Sequence, residues 1–262
     1  MSSPAGKLSE TQIHEAAQIL RNARQSRQRI ERLPESCRPR DLEEGIAIAR
    51  RVASDLALPI GGWKAGMPPE GRIFVGSIFA PSIYSTSPCP ALVHGNSSAS
   101  VEPEIAFVIG RDLPARATLY SEAEIRDAVS EARFAIEILG SRYLDPASLP
   151  FPEQFADGLN NQGLFVGPVL PHPFDRKLDS FHVKIESPNG AVLDREGKHP
   201  SGHPFPPVVW LAGFLNERGN GLRAGQIVTT GSYAGAVDVP LDVPLTFTYG
   251  DLGTLKVQFA AA

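Results

Sequence analysis

The hydrophobic pattern of this 262-residue chain changes at Pro59. Before Pro59, apolar residues recur at helical spacing behind helix-capping signals at 9–12 and 41–44. After it, short alternating segments are separated by turns that use many of the 24 glycines and 24 prolines. Helices followed by mostly antiparallel strands predict an α+β protein with a β-rich core. We expect a helical N-terminal subdomain over residues 1–58 and a strand-rich domain over 59–262.

Composition and charge argue against several functional classes. The net charge is -4 and the chain has no run of eighteen apolar residues, so we expect no nucleic-acid partner and no membrane span. The first residues lack the basic and apolar segments of a secretory signal. The 2 cysteines, Cys37 and Cys89, are too few for a disulfide framework. These features favour a reduced, cytoplasmic setting.

Local signals place further elements inside the strand-rich region. Asn189-Gly190 is typical of a hairpin turn, and residues 245–259 are expected to form a terminal hairpin. Two helices are predicted between the strands: one is capped by Ser121 and ends near Ala132, and the other begins at Pro206.

The segment 101–109 carries two acidic residues at the start of a strongly apolar run. Side chains alternate between the faces of a strand, so Glu102 and Glu104 point to one face about 6–7 Å apart. Two carboxylates at that separation repel by about 2–3 kcal/mol at an effective dielectric constant of about 20. We therefore expect a cation between them; the alternative is a strand end at which water solvates both acids.

A third acid, Glu137, is the only charged residue in the apolar run 134–139. A glutamate in such surroundings is paired or is a ligand, because unpaired burial of its charge is very costly. Three carboxylates without a histidine or a thiol form a hard oxygen site. Such a site suits Mg²⁺ or Mn²⁺ rather than zinc.

Lys64 lies in the glycine-rich segment 61–67, beside Trp63. The glycines allow close approach of another group, and the indole supplies an apolar wall. A lysine in these surroundings has a pKa that is easily lowered, which suits acid–base chemistry. The alternative is a surface lysine in a flexible loop.

Other motifs carry weaker signals. The polar residues of 156–163 are typical of a binding loop or of a tight turn, and the two are equally compatible with the pattern. His199 and His203 lie among prolines before a helix, which favours a loop or capping role. The chain has no GxGxxG after a strand, no GxxxxGK and no GxSxG, so a nucleotide cofactor and a serine nucleophile are disfavoured.

From about Gly61 to Phe259 the chain resembles the fumarylacetoacetate hydrolase superfamily. Within it, the resemblance is to the branch of 2-keto-4-pentenoate hydratases and 4-oxalocrotonate decarboxylases. The motifs that carry it lie at 62–66, 101–107, 135–138, 141–143, 156–157, 210–212, 218–219 and 222–232.

This resemblance implies a fold and a set of site residues. The fold is a mixed β-roll with a helical N-terminal part. The implied ligands of a Mg²⁺ or Mn²⁺ ion are Glu102, Glu104 and Glu137, and Lys64 is the implied active-site lysine. Asp157 or Glu70 is the expected water-positioning residue. The residues expected to contact the substrate are Met67, Asn160, Asn161, Thr230, Gly231 and Ser232. A homo-oligomer, a dimer or larger, is also expected from the family.

The chain departs from the family pattern where the substrate binds. The segment 68–72 is shorter than its counterpart in the hydratases. Residues 78–81 of this chain, Ile-Phe-Ala-Pro, stand where the hydratases are expected to have an acidic pair. The family's Asn-Ala-Ser-Ser after the loop aspartate is replaced by Gly-Leu-Asn-Asn at 158–161. The resemblance therefore supports the metal ligands of the family more strongly than it supports the family's reaction.

The sequence as a whole predicts a metal-dependent hydratase of 2-hydroxy-2,4-dienoates or their 2-oxo-3-enoate tautomers, as formed in aromatic degradation. The alternatives are decarboxylation of a 2-oxo-enedioate and C–C hydrolysis of an acylpyruvate. A metal-dependent keto-acid binding protein without catalysis is the alternative from another class.

Overall fold

A computed structural model describes residues 7–67, 73–93 and 98–262. Its helices are α1 (Glu10–Ser26), α2 (Leu42–Leu56), α3 (Glu122–Ala128), α4 (Phe151–Ala156) and α5 (Pro206–Glu217). Its strands are β1 (Ile60–Gly66), β2 (Phe74–Phe79), β3 (Ile83–Tyr84), β4 (Cys89–Ala91), β5 (Ser98–Ile109), β6 (Val129–Leu139), β7 (Asn161–Leu170), β8 (Ser180–Ser187), β9 (Gly190–Lys198), β10 (Ile227–Thr229), β11 (Val237–Pro240), β12 (Pro244–Tyr249) and β13 (Gly253–Ala261).

The chain divides into two compact units, and the first is helical. It contains residues 1–59 together with Gly140–Asn161. Ser9 caps α1 in the expected capping box with Gln12, and the Asp41 carboxylate accepts a hydrogen bond from the backbone of Glu44 at the start of α2. The apolar core of this unit includes Ala16, Ala17, Leu20, Leu33, Ile48, Val52 and Tyr143.

The structure places Gly140–Asn161 in the helical unit, whereas the predicted domains assigned all of 59–262 to the strand-rich part. This segment leaves the sheet after β6, forms α4 and returns as β7. It packs in the helical unit because Tyr143 is fully buried in that core. In addition, Gly45 of α2 lies so close to Pro152 that a side-chain carbon would be 2.7 Å from the Pro152 carbonyl oxygen.

The second unit, residues 60–139 and 162–262, is built on two sheets. One has eight strands in the order β2-β1-β10-β5-β6-β7-β3, with β11 also paired to β5. The other has the order β4-β13-β12-β8-β9. Parallel and antiparallel pairs occur in both sheets, which confirms the predicted α+β class with mixed sheets. The hairpins predicted at Asn189-Gly190 and at 245–259 are also confirmed.

The central strands β5 and β6 have two different faces. One face of β5 carries Val101, Ile105 and Phe107, all fully buried in the main apolar core. The opposite face carries Glu102, Glu104 and then Ala106, which belongs to a smaller apolar cluster. The alternation of the sequence thus separates a purely apolar face from one with acidic residues.

The helix predicted from Ser121 begins as expected but ends earlier. Ser121 and Glu124 form a capping box, and α3 stops at Ala128 rather than near Ala132. From Val129 onward the chain pairs with β5, with Ala132 opposite Phe107. Pairing with a central strand buries these residues, and this tertiary packing overrides the local helical pattern.

Two further observations concern membrane-spanning helices and the cysteines. No helix in the described ranges has the length and apolar character needed to cross a membrane. Cys37 and Cys89 are buried and are not joined by a disulfide.

Gly62 supplies a stability test of the sheet. It pairs with Ile227 of β10, and a side-chain carbon on Gly62 would overlap the Ile227 carbonyl oxygen. We expect Gly62→Ala to destabilise the fold by about 1–3 kcal/mol, because β1 must move away from β10. Gly213 of α5 has no atom within 4 Å of the same position, so Gly213→Ala should stabilise by about 0.5–1 kcal/mol. Urea unfolding followed by tryptophan fluorescence measures both; equal midpoints would show that β1 adapts freely.

Candidate metal centre

Strand pairing brings the three predicted acids together. In the antiparallel pair of β5 and β6, Glu102 lies directly opposite Glu137, and Glu104 lies opposite Ala135. Directly opposed residues share a face of the sheet, so all three acids project to the same side. One carboxylate oxygen from each of Glu102, Glu104 and Glu137 lies within 4.8 Å of the others.

These carboxylates are not at a hydrated strand end. Glu104 and Glu137 are each 1% exposed, and Glu102 is half-buried. Carboxylates removed from water in this way need compensating charge or hydrogen bonds. The structure therefore excludes the solvated alternative for Glu104, while Glu102 keeps partial contact with water.

Part of the compensation comes from Lys64. Lys64 pairs with Thr229 of β10, and Thr229 pairs with Ala106 of β5, so the lysine projects from the acidic face. Its ammonium nitrogen donates to Oε1 of Glu137 at 2.8 Å. Strand β1 thus supplies a cationic partner for Glu137, and Lys64 lies on a strand rather than in a flexible loop.

A turn beside β5 holds Glu104 in place. Strand β10 pairs with 106–108 of β5 and β11 pairs with 98–101, so the chain between β10 and β11 passes the acids. Oε2 of Glu104 accepts hydrogen bonds from the hydroxyl of Thr229 and from the backbone of Gly231, the latter at 2.8 Å. Gly231 has a φ of 120°, a conformation that favours glycine.

Burial and mutual repulsion shift the pKa values of these groups. Burial, followed by repulsion from Glu137, raises the pKa of Glu102 to about 7. The same two causes raise the pKa of Glu104 to about 8, although Thr229 and Gly231 act in the opposite direction.

The pKa of Lys64 differs from the sequence prediction. Burial lowers this pKa, but the attraction of Glu137, Glu102 and Glu104 together outweighs burial and raises it above the usual value. The predicted lowering is therefore wrong. It considered the apolar surroundings of the lysine and not the acids that the sheet places beside it.

The donor set fits a hard divalent cation. Three ionised carboxylates and one ammonium group carry three negative charges and one positive charge, which leaves -2. The three groups of the cluster offer oxygen atoms only, which Mg²⁺ and Mn²⁺ prefer. The cluster can therefore neutralise and coordinate one divalent ion.

Asp157 belongs to the helical unit, where it forms a buried ion pair. Its carboxylate accepts hydrogen bonds from the hydroxyl of Ser141 at 2.8 Å, from the backbone of Arg142 at 2.9 Å, and from the Arg142 guanidinium. The same guanidinium donates to the carbonyl oxygens of Asp157 and Asn161. These contacts hold the two ends of the 140–161 segment together.

The other predicted site residues are placed as follows. Met67 follows β1 and is 41% exposed, and Glu70 lies outside the described residues. Asn160 has a φ of 63°, and Asn161 is buried in the helical unit. The hydroxyl of Thr230 donates to Ile105 and that of Ser232 to Pro103, so both side chains anchor the turn to β5.

Sequence reasoning missed two contributors. Thr229 was part of the recognised 222–232 motif, but its hydrogen bond to Glu104 depends on the pairing of β10 with β5. Arg142 was part of the 141–143 motif, but nothing local indicated its pairing with Asp157.

Comparison with solved structures identifies the fold. A 4-oxalocrotonate decarboxylase from Pseudomonas putida G7, complexed with magnesium and adipate, superposes with a TM-score of 0.78 over 97% of this chain and 100% of that chain, at 19% identity. A fumarylpyruvate hydrolase from Pseudomonas aeruginosa, in complex with Mn²⁺ and pyruvate, has a TM-score of 0.51 over 76% of this chain and 89% of that chain, at 13% identity.

Comparison with curated proteins identifies the family. No family model matches the chain. A 2-keto-4-pentenoate hydratase from Paraburkholderia phymatum is 30% identical over 96% of this chain and 98% of its own length. A 4-oxalocrotonate decarboxylase from Pseudomonas putida is 28% identical over 65% of this chain and 62% of its own length. The chain therefore belongs to the family of the 2-keto-4-pentenoate hydratases.

Proposed function

We propose that this protein is a divalent-metal-dependent hydratase of 2-hydroxy-2,4-dienoates or their 2-oxo-3-enoate tautomers. The observation that carries the proposal is the cluster of Glu102, Glu104 and Glu137 with Lys64, in a chain that matches a hydratase over almost its whole length. Such substrates present a carboxylate and an adjacent oxygen, which a divalent cation can chelate. The reaction is the addition of water at C4.

The three glutamates are the proposed ligands of Mg²⁺ or Mn²⁺. The solved relatives with Mg²⁺ and with Mn²⁺ support these two ions as candidates. When bound, such an ion supplies Lewis acidity that stabilises negative charge on the substrate's 2-oxygen. The hydrogen bonds from Thr229 and Gly231 hold Glu104 in one orientation, so the ligand set is preorganised.

Lys64 is the proposed proton donor and orienting group. Its ammonium group lies against Glu137, so it is fixed on the acidic face and remains charged. From this position it can bind the substrate carboxylate or 2-oxygen and transfer a proton to the dienolate carbon skeleton. The turn at 230–232 is the proposed wall of the substrate pocket, with Met67 as a further proposed contact.

The water-positioning role is proposed for Glu70 rather than for Asp157. The Asp157 carboxylate is already engaged by Ser141 and Arg142, which favours a supporting role for it in the 140–161 segment. Glu70 lies outside the described residues, and its assignment comes from the sequence. A homo-oligomer remains an expectation from the family.

A decarboxylase acting on a 2-oxo-enedioate is the second candidate. The superposition with 4-oxalocrotonate decarboxylase over 97% of the chain favours it. The adipate in that relative is a dicarboxylate, as is the decarboxylase substrate. Both reactions need the same stabilisation of an enolate, so the metal cluster does not distinguish them.

An ultraviolet assay separates the two reactions. The substrates are enzymatically generated 2-hydroxypenta-2,4-dienoate and 2-oxo-3-hexenedioate, each with EDTA, Mg²⁺ or Mn²⁺. We expect metal-dependent loss of the dienol absorbance without CO₂ release. Release of CO₂ from the diacid would instead identify the decarboxylase, and failure to convert either compound with metal would contradict both.

We expect cation binding to weaken as the pH falls. The pKa values of Glu102 and Glu104, about 7 and about 8, exceed the value of about 4.3 for an unfolded glutamate. Protonation thus stabilises the metal-free fold at low pH, and this stability is lost as the pH rises through the folded pKa values. A bound cation replaces these protons, so calorimetric titration with Mn²⁺ should show more than about tenfold weaker binding at about pH 6 than at about pH 8.5.

Glu104→Gln is the matched variant for this titration. It removes one titrating ligand, so we expect weaker Mn²⁺ binding and a shallower dependence on pH than in the wild type. Equal affinity of the wild type at the two pH values, or an unchanged affinity of the variant, would contradict the assignment of Glu104 as a ligand.

Lys64→Met separates metal binding from turnover. Removal of the ammonium group leaves the three carboxylates in place, so Mn²⁺ should bind at least as tightly as in the wild type. We expect turnover to fall by about 10²-fold or more, because the proton donor is lost. Lys184→Met is the control, since Lys184 forms an exposed pair with Glu186 on β8. A Lys64→Met variant as fast as the control would remove lysine from the mechanism.

A further inference from the structure

Phe74 begins β2, the strand at one end of the eight-stranded sheet, and lies directly opposite Gly66 of β1. Directly opposed residues share a face of the sheet. A side-chain carbon on Gly66 would lie 3.3 Å from Cβ of Phe74, in agreement with this placement. The side chain of Phe74 is half-buried, and the proposed mechanism does not use it.

The pairing of β1 with β2 places Phe74 on the acidic face. Ala65 pairs with Val75, and both belong to the main apolar core, which covers the opposite face of the sheet. Side chains alternate along a strand, so Gly66 and Phe74 point away from that core. Lys64 lies two residues before Gly66 and shares its face. The side chains of Phe74 and Lys64 are therefore on the same side of the sheet.

The register also places Gly66 level with Glu104. Lys64, Thr229 and Ala106 form one row across β1, β10 and β5. Gly66 lies two residues after Lys64 on β1, and residue 104 lies two residues before residue 106 on β5. Strand β10 is parallel to β1 and antiparallel to β5, so these two steps lead in the same direction along the sheet. Gly66 and Glu104 therefore belong to the next row.

Phe74 completes this row on the side of β2. Neighbouring strands lie about 4.8 Å apart, so the three strand spacings from Phe74 to Glu104 amount to about 14 Å along the sheet. Gly66 has no side chain to fill the interval. Apart from its neighbours in the chain, only Cβ and Cγ of Phe74 lie within 4 Å of a side-chain carbon placed there, among the residues that the structure describes. The interval has room for a bound cation and a short carbon chain.

The ring of Phe74 favours an apolar group at its end of the interval. A vinyl or alkyl group placed against the ring buries apolar surface, which is favourable. A carboxylate in the same place loses hydration without gaining a hydrogen bond from the ring. The face of an aromatic ring also carries partial negative charge, which repels an anion.

We propose that Phe74 determines the substrate specificity of the metal centre by receiving the end of the substrate that is remote from the metal. The substrate class is then a short 2-oxo or 2-hydroxy acid with an apolar end, rather than a dicarboxylate. This inference rests on the proposed metal-binding function of the three glutamates. It deepens that proposal, because it favours the dienoate substrates of a hydratase over the diacid of a decarboxylase.

Two 2-oxo acids of equal chain length test the remote end of the substrate. 2-Oxopentanoate ends in a methyl group and 2-oxoglutarate ends in a carboxylate, whereas pyruvate lacks the tail of both. Isothermal titration calorimetry of the Mn²⁺-loaded full chain measures the affinity for each acid without turnover. We expect the wild type to bind 2-oxopentanoate at least about tenfold more tightly than 2-oxoglutarate.

Two substitutions of Phe74 change the remote contact in different ways. Phe74→Arg introduces a cation, so we expect this variant to prefer 2-oxoglutarate. Phe74→Ala removes the ring without adding charge, so it should bind 2-oxopentanoate about tenfold more weakly than the wild type and pyruvate equally well. Val169→Arg is the control for the added charge, since Val169 is an apolar residue of β7 that is 44% exposed. This control should keep the preference of the wild type.

The outcomes separate this inference from the proposed function. Circular dichroism and Mn²⁺ binding check that each variant is folded. Equal affinity of the wild type for the two longer acids would overturn the inference alone, and so would an unchanged affinity of Phe74→Ala for 2-oxopentanoate. A preference for 2-oxoglutarate in Val169→Arg as strong as in Phe74→Arg would also overturn it. Failure of the wild type to bind Mn²⁺, or to bind pyruvate with Mn²⁺, would overturn the proposed function and this inference together.

Discussion

The structure depends on how three carboxylates are tolerated on one face of a buried sheet. Glu102, Glu104 and Glu137 lie within 4.8 Å of one another, yet two of them are almost completely removed from water. Lys64 offsets part of their repulsion, and two hydrogen bonds to Glu104 offset more. Burial and the remaining negative charge raise the pKa values of Glu102 and Glu104, so both groups favour the binding of a proton or of a cation.

The rest of the strand-rich unit supports this arrangement. The opposite face of β5 is packed in the main apolar core, so the strand cannot rotate to bring its acids into water. Strand β1 approaches β10 closely at Gly62, which sets the position from which Lys64 reaches across the sheet. The chain between β10 and β11 passes the acids as a turn, and a turn can present its N–H groups to a side chain where a paired strand could not.

Local rules predicted part of the site and not the rest. The spacing of Glu102 and Glu104 predicted a shared face, since alternation in a strand is a local property. The meeting of Glu137 with that pair depends on the register of β5 and β6, which no short segment contains. The lysine motif identified Lys64, but the sign of its pKa shift depends on acids from two other strands. The 140–161 excursion and the early end of α3 were missed for the same reason, because distant packing decided both.

The direct opposition of Glu102 and Glu137 also has a consequence for folding. Like charges facing each other across a ladder oppose strand pairing. Charge repulsion therefore opposes the register that brings the acids together. A shift of one strand by one residue would move the acidic side chains of that strand to the opposite, apolar face. Pairing of β5 with β6 in a newly synthesised chain therefore requires that part of the charge on Glu102 and Glu137 is neutralised. The charge of Lys64 and the protons bound by Glu102 and Glu104 offset this repulsion, so the alignment of β5 with β6 depends on pH.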